Sequence, residues 1–166
     1  MKTIRLFTLM ALLAAMAGCG SNIRSYDGPE VTSVLVKKEK RRMHLLHHGR
    51  VLKSYRIDLG FEPVGHKQFE GDGKTPVGNY IIDRRNPNSK FHRSLGISYP
   101  NGKDAAFARS SGKSPGGDIF IHGRPNNKRG ARLSPDWTAG CIAVGNRQIE
   151  EIYSMVKIGT PIAIRP

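Results

Sequence analysis

Cys141 and His122 are the two residues whose types and spacing could carry out nucleophilic catalysis. Cys141 lies in the stretch 134–144 directly after Gly140, and His122 precedes it by nineteen positions. A cysteine thiolate attacks a carbonyl carbon to form a thioester, and an imidazole can take the thiol proton and later protonate the leaving amine. Such a base would lower the pKa of the thiol. The pair alone predicts a cysteine acyltransferase or hydrolase, without choosing its substrate.

The residues around the cysteine predict a turn that could stabilise the oxyanion formed during attack. Backbone N–H groups at a Gly140-Cys141 turn are suitable donors, and the loss of one such donor typically lowers the rate by ~100- to 1,000-fold. Gly140 also leaves room for a substrate carbonyl to approach the backbone. The alternative is a buried structural cysteine. Trp137 and Thr138 beside Gly140 favour the turn over a core strand.

Residues 1–18 predict an export signal, because a charged start is followed by an apolar run that ends in small residues. The run, 6–17, is twelve residues long, too short to span a bilayer as an ordinary helix. It ends in Met16-Ala17-Gly18-Cys19, which resembles the bacterial lipoprotein signal, although Met16 stands where Leu is usual. Plain cleavage near Gly18 is the alternative. We therefore expect an exported, periplasmic lipoprotein, anchored through Cys19 and attached to the outer membrane if the cell is Gram-negative.

The cysteine count makes Cys141 conspicuous. The chain has two cysteines, and if Cys19 is lipidated or removed, no intramolecular disulfide can form. A lone cysteine in an oxidising compartment is a candidate reactive thiol. The net charge is +14, falling to +12 once Lys2 and Arg5 leave with the signal. This dispersed positive charge favours anionic lipid, lipopolysaccharide or wall polymer over nucleic acid, and a basic surface without a partner is the alternative.

The mature chain predicts one mostly β catalytic domain at 31–166, after a flexible tether at 19–30. Alternating apolar residues and turn signals predict strands at 31–36, 43–47, 51–57, 80–82, 95–99, 118–122 and 162–164. A basic loop is expected at 83–93, a short helix at 103–111 and an amphipathic helix at 146–157 capped by Asn146. His44, His47 and His48 are interpreted as surface residues, because adjacent strand residues point to opposite faces and no metal site is expected.

Several motifs in the same order resemble those of one enzyme family. His122-Gly123, followed after the right gap by Thr138, Gly140 and Cys141, resembles the signature of the L,D-transpeptidase catalytic domain, the YkuD-type fold. The resemblance extends from residue 31 to residue 166. It includes two further stretches that match the family's upstream and terminal segments: Gly71-Asp72, Thr75-Pro76, Gly78 and Tyr80, and then Gly159-Thr160-Pro161-Ile162.

This resemblance implies a β-sandwich with short peripheral α-helices and a chemistry directed at the cell wall. Cys141 would attack the peptidoglycan stem peptide after meso-diaminopimelate, with His122 as general base, and release the terminal D-alanine. The acyl group would then pass to an amine or to water. Gly123, Thr138 and Gly140 would line the oxyanion or orient the histidine. The resemblance implies peptidoglycan stem peptides as partners, and no metal or cofactor.

The sequence departs from the family pattern at two positions, and the second departure concerns substrate binding. Ala139 replaces the usual His, and Ala143 replaces an Arg or Asn that would position a substrate carboxylate. Arg124, beside the catalytic histidine, could replace that contact by bidentate binding, or could be one more exposed arginine. Tyr99 and Trp137 are further candidates for substrate contact.

The same stretches leave the fate of the acyl group open. The sequence of this chain at 136–143, together with 98–101 and 115–117, resembles one branch of the family. Some members of that branch are hydrolases that cut cross-links or wall-linked protein, such as a wall-linked lipoprotein. An L,D-specific peptidase of the same fold is therefore the alternative to a transpeptidase. A papain-like protease is disfavoured because the histidine precedes the cysteine here. A cationic wall- or lipid-binding module with an inert cysteine is the third hypothesis.

Overall fold

The computed structural model describes residues 25–128, 130 and 132–166. The export signal expected at 1–18, Cys19 and the first part of the tether lie outside these residues. In the described ranges, no helix is long and apolar enough to cross a membrane. The prediction of a mostly β fold with short helices is confirmed.

Eight strands and two helices follow one another along the described chain. The strands are β1 (Ser33–Lys37), β2 (Arg42–His47), β3 (Arg50–Arg56), β4 (Gly78–Ser89), β5 (His92–Ile97), β6 (Phe120–His122), β7 (Ile142–Ala143) and β8 (Pro161–Arg165). The helices are α1 (Gly102–Ser110) and α2 (Asn146–Met155). Helix α2 begins at Asn146, but its N-cap is Gly145, whose N–H donates to the Gln148 side chain.

The strands form one continuous hydrogen-bonded order, β3-β2-β1-β8-β4-β5-β6-β7. Neighbours run antiparallel except for β1 with β8 and β6 with β7, which are parallel. Strand β4 joins two halves of this order. Its first residues, 78–81, pair with β8, and the part from Ile82 onward pairs with β5. Strand β4 therefore connects the half formed by β1, β2, β3 and β8 to the half that carries Cys141 and His122.

The prediction of a loop at 83–93 is wrong. These residues form the outer part of β4, the turn, and the start of β5, with Arg84 opposite Gly96 and Asn86 opposite Ser94. Their polar composition and Pro87 favour a loop by intrinsic preference. Tertiary contacts override that preference: the Arg85 guanidinium donates to the carbonyls of Tyr153 and Val156 and lies 4.1 Å from the centre of the Tyr153 ring.

The core lies between the sheet and helix α2. The helix buries the apolar stripe predicted from its 3.6-residue period, including Ile149, Ile152 and Tyr153. The strands contribute alternating buried side chains, as in Val34 and Val36 of β1. Because α2 follows directly after the cysteine stretch, packing of this helix against the core fixes the chain on the C-terminal side of Cys141.

Candidate active site

The fold brings Cys141 and His122 to one cleft. His122 ends β6, and Cys141 immediately precedes β7, which pairs with β6 in parallel with His122 opposite Ala143. The two side chains line the same open cleft, with a volume of about 490 Å³. Its other lining residues come mostly from the β4–β5 hairpin and β6: Asn86, Asn88, Ser89, Lys90, Phe91, Ser94, Asp118 and Phe120.

The His122 ring is oriented by a backbone carbonyl and two aromatic rings. Its Nδ1 lies 2.7 Å from the Gly123 carbonyl oxygen. A carbonyl only accepts, so Nδ1 carries the hydrogen and Nε2 is left as the proton acceptor. The ring is 3% exposed. It packs against Phe91 and Trp137, with centroid distances of 4.5 and 5.6 Å.

Gly123 supports this arrangement by its lack of a side chain. A Cβ at this position would lie 2.7 Å from Asn146 Oδ1. That oxygen accepts a hydrogen bond of 2.7 Å from the N–H of Arg124. The glycine therefore allows the start of α2 to hold the chain that follows the histidine, as expected for an orienting residue.

The Cys141 sulfur touches the backbone of the strand that carries the histidine. Its Sγ accepts a hydrogen bond from the N–H of Phe120 at 3.4 Å and lies 3.5 Å from the carbonyl oxygen of Asp118. Burial raises the pKa of the Cys141 thiol, and the Asp118 carboxylate adds to that rise. Burial also lowers the pKa of His122, although the bond to Gly123 opposes this. Both shifts favour the neutral form of the group concerned.

This result corrects the expectation of a lowered thiol pKa. A neighbouring imidazole lowers a thiol pKa when it is itself charged, but the buried His122 resists protonation. The directions of the two pKa shifts are those of a pair in which the proton moves as the new bond forms, as in general-base catalysis.

Thr138 and Gly140 shape the turn before the cysteine. Thr138 Oγ1 donates to the Cys141 carbonyl at 2.8 Å and accepts from the N–H of Gly140 at 3.1 Å. Gly140 has φ of 134°, and a Cβ there would lie 2.8 Å from the carbonyl oxygen of Lys74. Glycine is therefore required by both conformation and space. The Gly140 N–H is already bonded, which removes it as an oxyanion donor in this structure.

The predicted substrate contacts are distributed over three places. Tyr99 is 4% exposed, and its hydroxyl donates to the Pro115 carbonyl at 3.1 Å, so this position does not support a contact with substrate. Trp137 packs on His122 from the far side of the cysteine cleft. Arg124 and Trp137 line a second, polar cleft of about 310 Å³, whose wall includes Ala143. Arg124 thus lies near the departure from the family pattern but outside the cysteine cleft.

Two features of the cleft were missed from the sequence. The hairpin tip, residues 86–91, supplies Lys90 and Phe91, and it was hidden because the segment was interpreted as a loop. Asp118 was placed in a strand, whereas β6 begins at Phe120 and Asp118 has φ of 53°. The pair Gly116-Gly117 before Asp118 is the signal that could have predicted a turn here.

The three histidines of the β2–β3 hairpin lie far from this chemistry in the fold. His44 Nδ1 is 2.6 Å from Ser54 Oγ, and His47 Nδ1 is 2.8 Å from the Glu30 carbonyl oxygen. Among the residues that the structure describes, no group of three His, Cys, Asp or Glu side chains could hold a metal ion.

Similar proteins carry the same fold. YafK of Escherichia coli is 29% identical over 129 residues, which make up 74% of this chain and 46% of YafK. The helical cell shape determining protein Pgp2 of Campylobacter jejuni matches with a TM-score of 0.65 at 29% identity, covering 93% of this chain and 54% of Pgp2. The chain spans about half the length of these two relatives.

A more distant structure and a family model extend the likeness. An L,D-transpeptidase from Xylanimonas cellulosilytica shares the fold with a TM-score of 0.54 at 15% identity, covering 94% of this chain and 68% of that one. The family model of the L,D-transpeptidase catalytic domain (YkuD) matches residues 31–164, most of the chain and the whole of the cleft. The chain therefore belongs to the L,D-transpeptidase catalytic domain family.

Proposed function

We propose that this protein is a peptidoglycan L,D-transpeptidase that acts through a thioester on Cys141. The observation that supports this most strongly is the cleft lined by both Cys141 and His122. The Nδ1–H of His122 is fixed by the Gly123 carbonyl, which leaves Nε2 as the base. The substrate would be a stem peptide bound with the carbonyl of diaminopimelate next to the sulfur.

The reaction would proceed by two acyl transfers. As the sulfur–carbon bond forms, His122 Nε2 accepts the thiol proton, so the neutral pair becomes an imidazolium and a tetrahedral oxyanion. The oxyanion then collapses, the carbon–nitrogen bond breaks, and the imidazolium protonates the leaving amine of D-alanine. An acceptor amine attacks the thioester in the second step, with the neutral His122 taking its proton and the thiol leaving as the acyl group departs.

The Cys141 N–H is the candidate oxyanion donor. Thr138 Oγ1 accepts from the Gly140 N–H and donates to the Cys141 carbonyl. These bonds hold the 139–140 and 141–142 peptide units, on either side of the unit that carries the Cys141 N–H. No hydrogen bond donated by the Cys141 N–H is found in the described ranges. A donor held in place before the reaction stabilises developing charge without reorganisation, and Thr138 would contribute by restraining the turn on both sides of that amide.

Arg124 would bind a substrate carboxylate in the second cleft. Ala143 lines that cleft beside Arg124 and Trp137, where a larger family side chain would otherwise stand. A guanidinium can hold a carboxylate through two parallel hydrogen bonds. An unchanged kcat/KM of Arg124→Ala on wall fragments would remove Arg124 from the site.

Water is the competing acceptor, and the openness of the cleft favours it. The Asp118 side chain at the rim is 82% exposed, so solvent has access to the neighbourhood of the thioester. The same acyl-enzyme resolved by water would make the protein an L,D-specific peptidase that cuts cross-links or wall-linked protein.

We also propose that the protein works in the periplasm, attached through a lipid on Cys19. The support is the sequence of residues 1–19, and residues 31–164 suffice for the family match. Metabolic labelling with a palmitate analogue tests the anchor, because Cys19→Ser would lose the label while Cys141→Ser would keep it.

Defined stem peptides test the whole proposal. The purified protein is incubated with a disaccharide tetrapeptide that contains meso-diaminopimelate, and both the protein and the products are weighed by mass spectrometry. We expect an acyl adduct on Cys141 that is absent from Cys141→Ala and strongly reduced in His122→Ala. Cross-linked dimers indicate transfer, and tripeptide monomers indicate hydrolysis. An equal product yield from Cys141→Ala would exclude the thioester mechanism.

A further inference from the structure

The Asp118 carboxylate lies at the rim of the cysteine cleft. Asp118 lies two residues before β6, the strand that carries His122, and its own carbonyl oxygen is 3.5 Å from Cys141 Sγ. Its side chain is 82% exposed. Among the described residues that line the cleft, Asp118 is the only one with a carboxylate.

This charge is unfavourable for the nucleophile. The carboxylate contributes to the raised pKa of Cys141, because a negative charge nearby disfavours the thiolate. For the same reason it disfavours the oxyanion that forms during attack. A neutral residue would suit the chemical step better, so attack would be faster with a cation next to the carboxylate when substrate binds.

The ion pair that Asp118 forms within the described part of the chain is weak, although Lys90 also lines the cleft. Arg84 Nη1 is 3.5 Å from Asp118 Oδ1, and the side chains are 50% and 82% exposed. The Arg84 guanidinium also contacts Asp83 at 3.2 Å and lies 5.0 Å from the centre of the Phe120 ring. Exposed pairs of this kind contribute little. A cation brought by a ligand can therefore replace the contact with Arg84 at small cost.

We propose that Asp118 binds the ammonium group of a diamino-acid residue in the peptide substrate, beside the Cys141 thiol. The inference rests on the proposed function and names the chemical group that the cleft selects. The ammonium can come from the donor peptide, whose diamino residue is acylated onto the cysteine, or from the acceptor before its amine is deprotonated. In either case the ammonium cancels the carboxylate's charge at the moment when the oxyanion develops, which makes attack depend on the correct substrate.

The variant Asp118→Asn removes the charge and keeps the backbone. Asn, like Asp, tolerates positive φ values, so the conformation at 53° is retained. Asp83→Asn is the matched control, because it removes a carboxylate that also contacts Arg84 and does not line the cleft.

Paired donor peptides form the first arm of the test. The acylation rate of Cys141 is measured by intact mass, without acceptor, for a tetrapeptide with a free side-chain amine and for its N-acetylated counterpart. We expect Asp118→Asn to slow acylation by the free amine peptide about 10-fold or more, and acylation by the acetylated peptide less than about 2-fold. Asp83→Asn should behave like the wild type with both.

Transfer to an added amine forms the second arm. If Asp118→Asn leaves both acylation rates unchanged but raises the acceptor concentration needed for half-maximal transfer, the ammonium is that of the acceptor, and the proposal holds. Equal slowing with both donor peptides and no change in the acceptor dependence would overturn it.

Iodoacetamide separates substrate recognition from damage to the site. Asp118→Asn should be alkylated at Cys141 at least as fast as the wild type, because the neighbouring negative charge is gone. Slower alkylation would point to a displaced cysteine and overturn the proposal. If the wild type is acylated by neither peptide while iodoacetamide still reacts, the proposed function itself fails, and the result is recognised as such.

Discussion

Two segments meet at His122, and they are held in different ways. The cysteine loop, residues 134–141, is anchored by charge. The Asp136 carboxylate accepts from Arg41 Nε, which lies 3.0 Å from both of its oxygens, from Arg41 Nη2 at 2.8 Å, and from the N–H of Leu59 at 2.9 Å. The hairpin tip, residues 86–91, is anchored mainly by Asn126, whose N–H and Nδ2 donate to the carbonyls of Lys90 and Ser89.

The cysteine loop and the hairpin tip also differ in where their polar side chains lie relative to the cleft. In the cysteine loop the side chain of Thr138 is buried and that of Asp136 is half-buried, and Thr138 exchanges backbone hydrogen bonds with Leu59 and Phe61. In the hairpin tip, neutral backbone bonds leave the Lys90 side chain exposed at the cleft. The nucleophile is thus held rigidly, whereas the opposite wall can change its side chains without loss of support. We expect substitutions in the loop to cost stability and activity together, and those in the tip to alter substrate preference.

Asp136→Ala should have the largest effect, because it breaks the anchor of the cysteine loop. It removes the partner of Arg41 Nε and Nη2 and of the Leu59 N–H. The side chains of Arg41 and Asp136 are only 30% and 16% exposed. We expect a loss of about 2 to 3 kcal/mol in the free energy of unfolding, with a fall in kcat/KM. Urea unfolding measures the first.

The exposed pair of Glu30 and Lys157 provides the control for this variant. These side chains are 61% and 72% exposed, so Glu30→Ala should change stability by less than about 0.5 kcal/mol. If the two variants lose equal stability, the loop is not anchored by Asp136.

Phe91→Leu tests the one place where the hairpin tip supports the catalytic base. The loss of an aromatic contact worth about 0.5 to 1.5 kcal/mol should loosen His122 and lower kcat/KM roughly 3- to 10-fold. Phe107→Leu makes the same substitution in the stacked pair with Phe69, 5.9 Å apart and outside the cleft, and its activity should stay near that of the wild type. Similar losses in both would mean a general packing effect.

The pH profile should reveal the neutral pair. Because burial lowers the pKa of His122, the neutral base persists to lower pH than an exposed imidazole would. The midpoint of the acid limb in the pH profile of kcat/KM should therefore lie below the ordinary imidazole pKa of about 6.5. Because burial raises the pKa of Cys141, alkylation of the free enzyme should accelerate only above the ordinary thiol range. An alkylation midpoint well below neutrality would instead indicate a preformed ion pair.

Lys90→Ala should have the smallest effect on the fold and a selective effect on binding. Lys90 is exposed at the cleft, so stability should change by less than about 0.5 kcal/mol. The KM for an anionic stem peptide should rise about 2- to 5-fold, and added salt should reduce the difference. Lys103→Ala, on α1, makes the same charge change away from the cleft and should leave KM unaltered.

The sequence predicted the parts of this molecule that depend on local pattern. The amphipathic stripe of α2 and the β2–β3 hairpin are short-range signals, and both are confirmed in the structure. The strand predicted at 118–122 is shorter, at 120–122, and its burial does not alternate, because Ile121 and His122 are both buried. The hairpin tip could not be predicted in the same way, because the outer part of β4 is held by distant partners such as Tyr153.

The candidate site divides in the same way into features with a local sequence signal and features that depend on distant residues. Motif order pointed to Cys141 and His122, and topology then placed them in one cleft. The directions in which the pKa values of Cys141 and His122 shift could not be predicted from the sequence, because burial is a property of the assembled fold. The anchoring of the cysteine loop also escaped, because Arg41 and Asp136 lie 95 positions apart.

The position of β8 has a consequence for the order in which the domain is built. This strand lies between β1 and β4, pairing in parallel with Val34–Lys37 and antiparallel with Gly78–Ile81. Until residues 161–165 have been made, β1 and β4 each carry an unpaired edge, and the sheet cannot close. Such sequence-distant pairing is slow to form. The two halves of the sheet therefore join only when this last strand is in place.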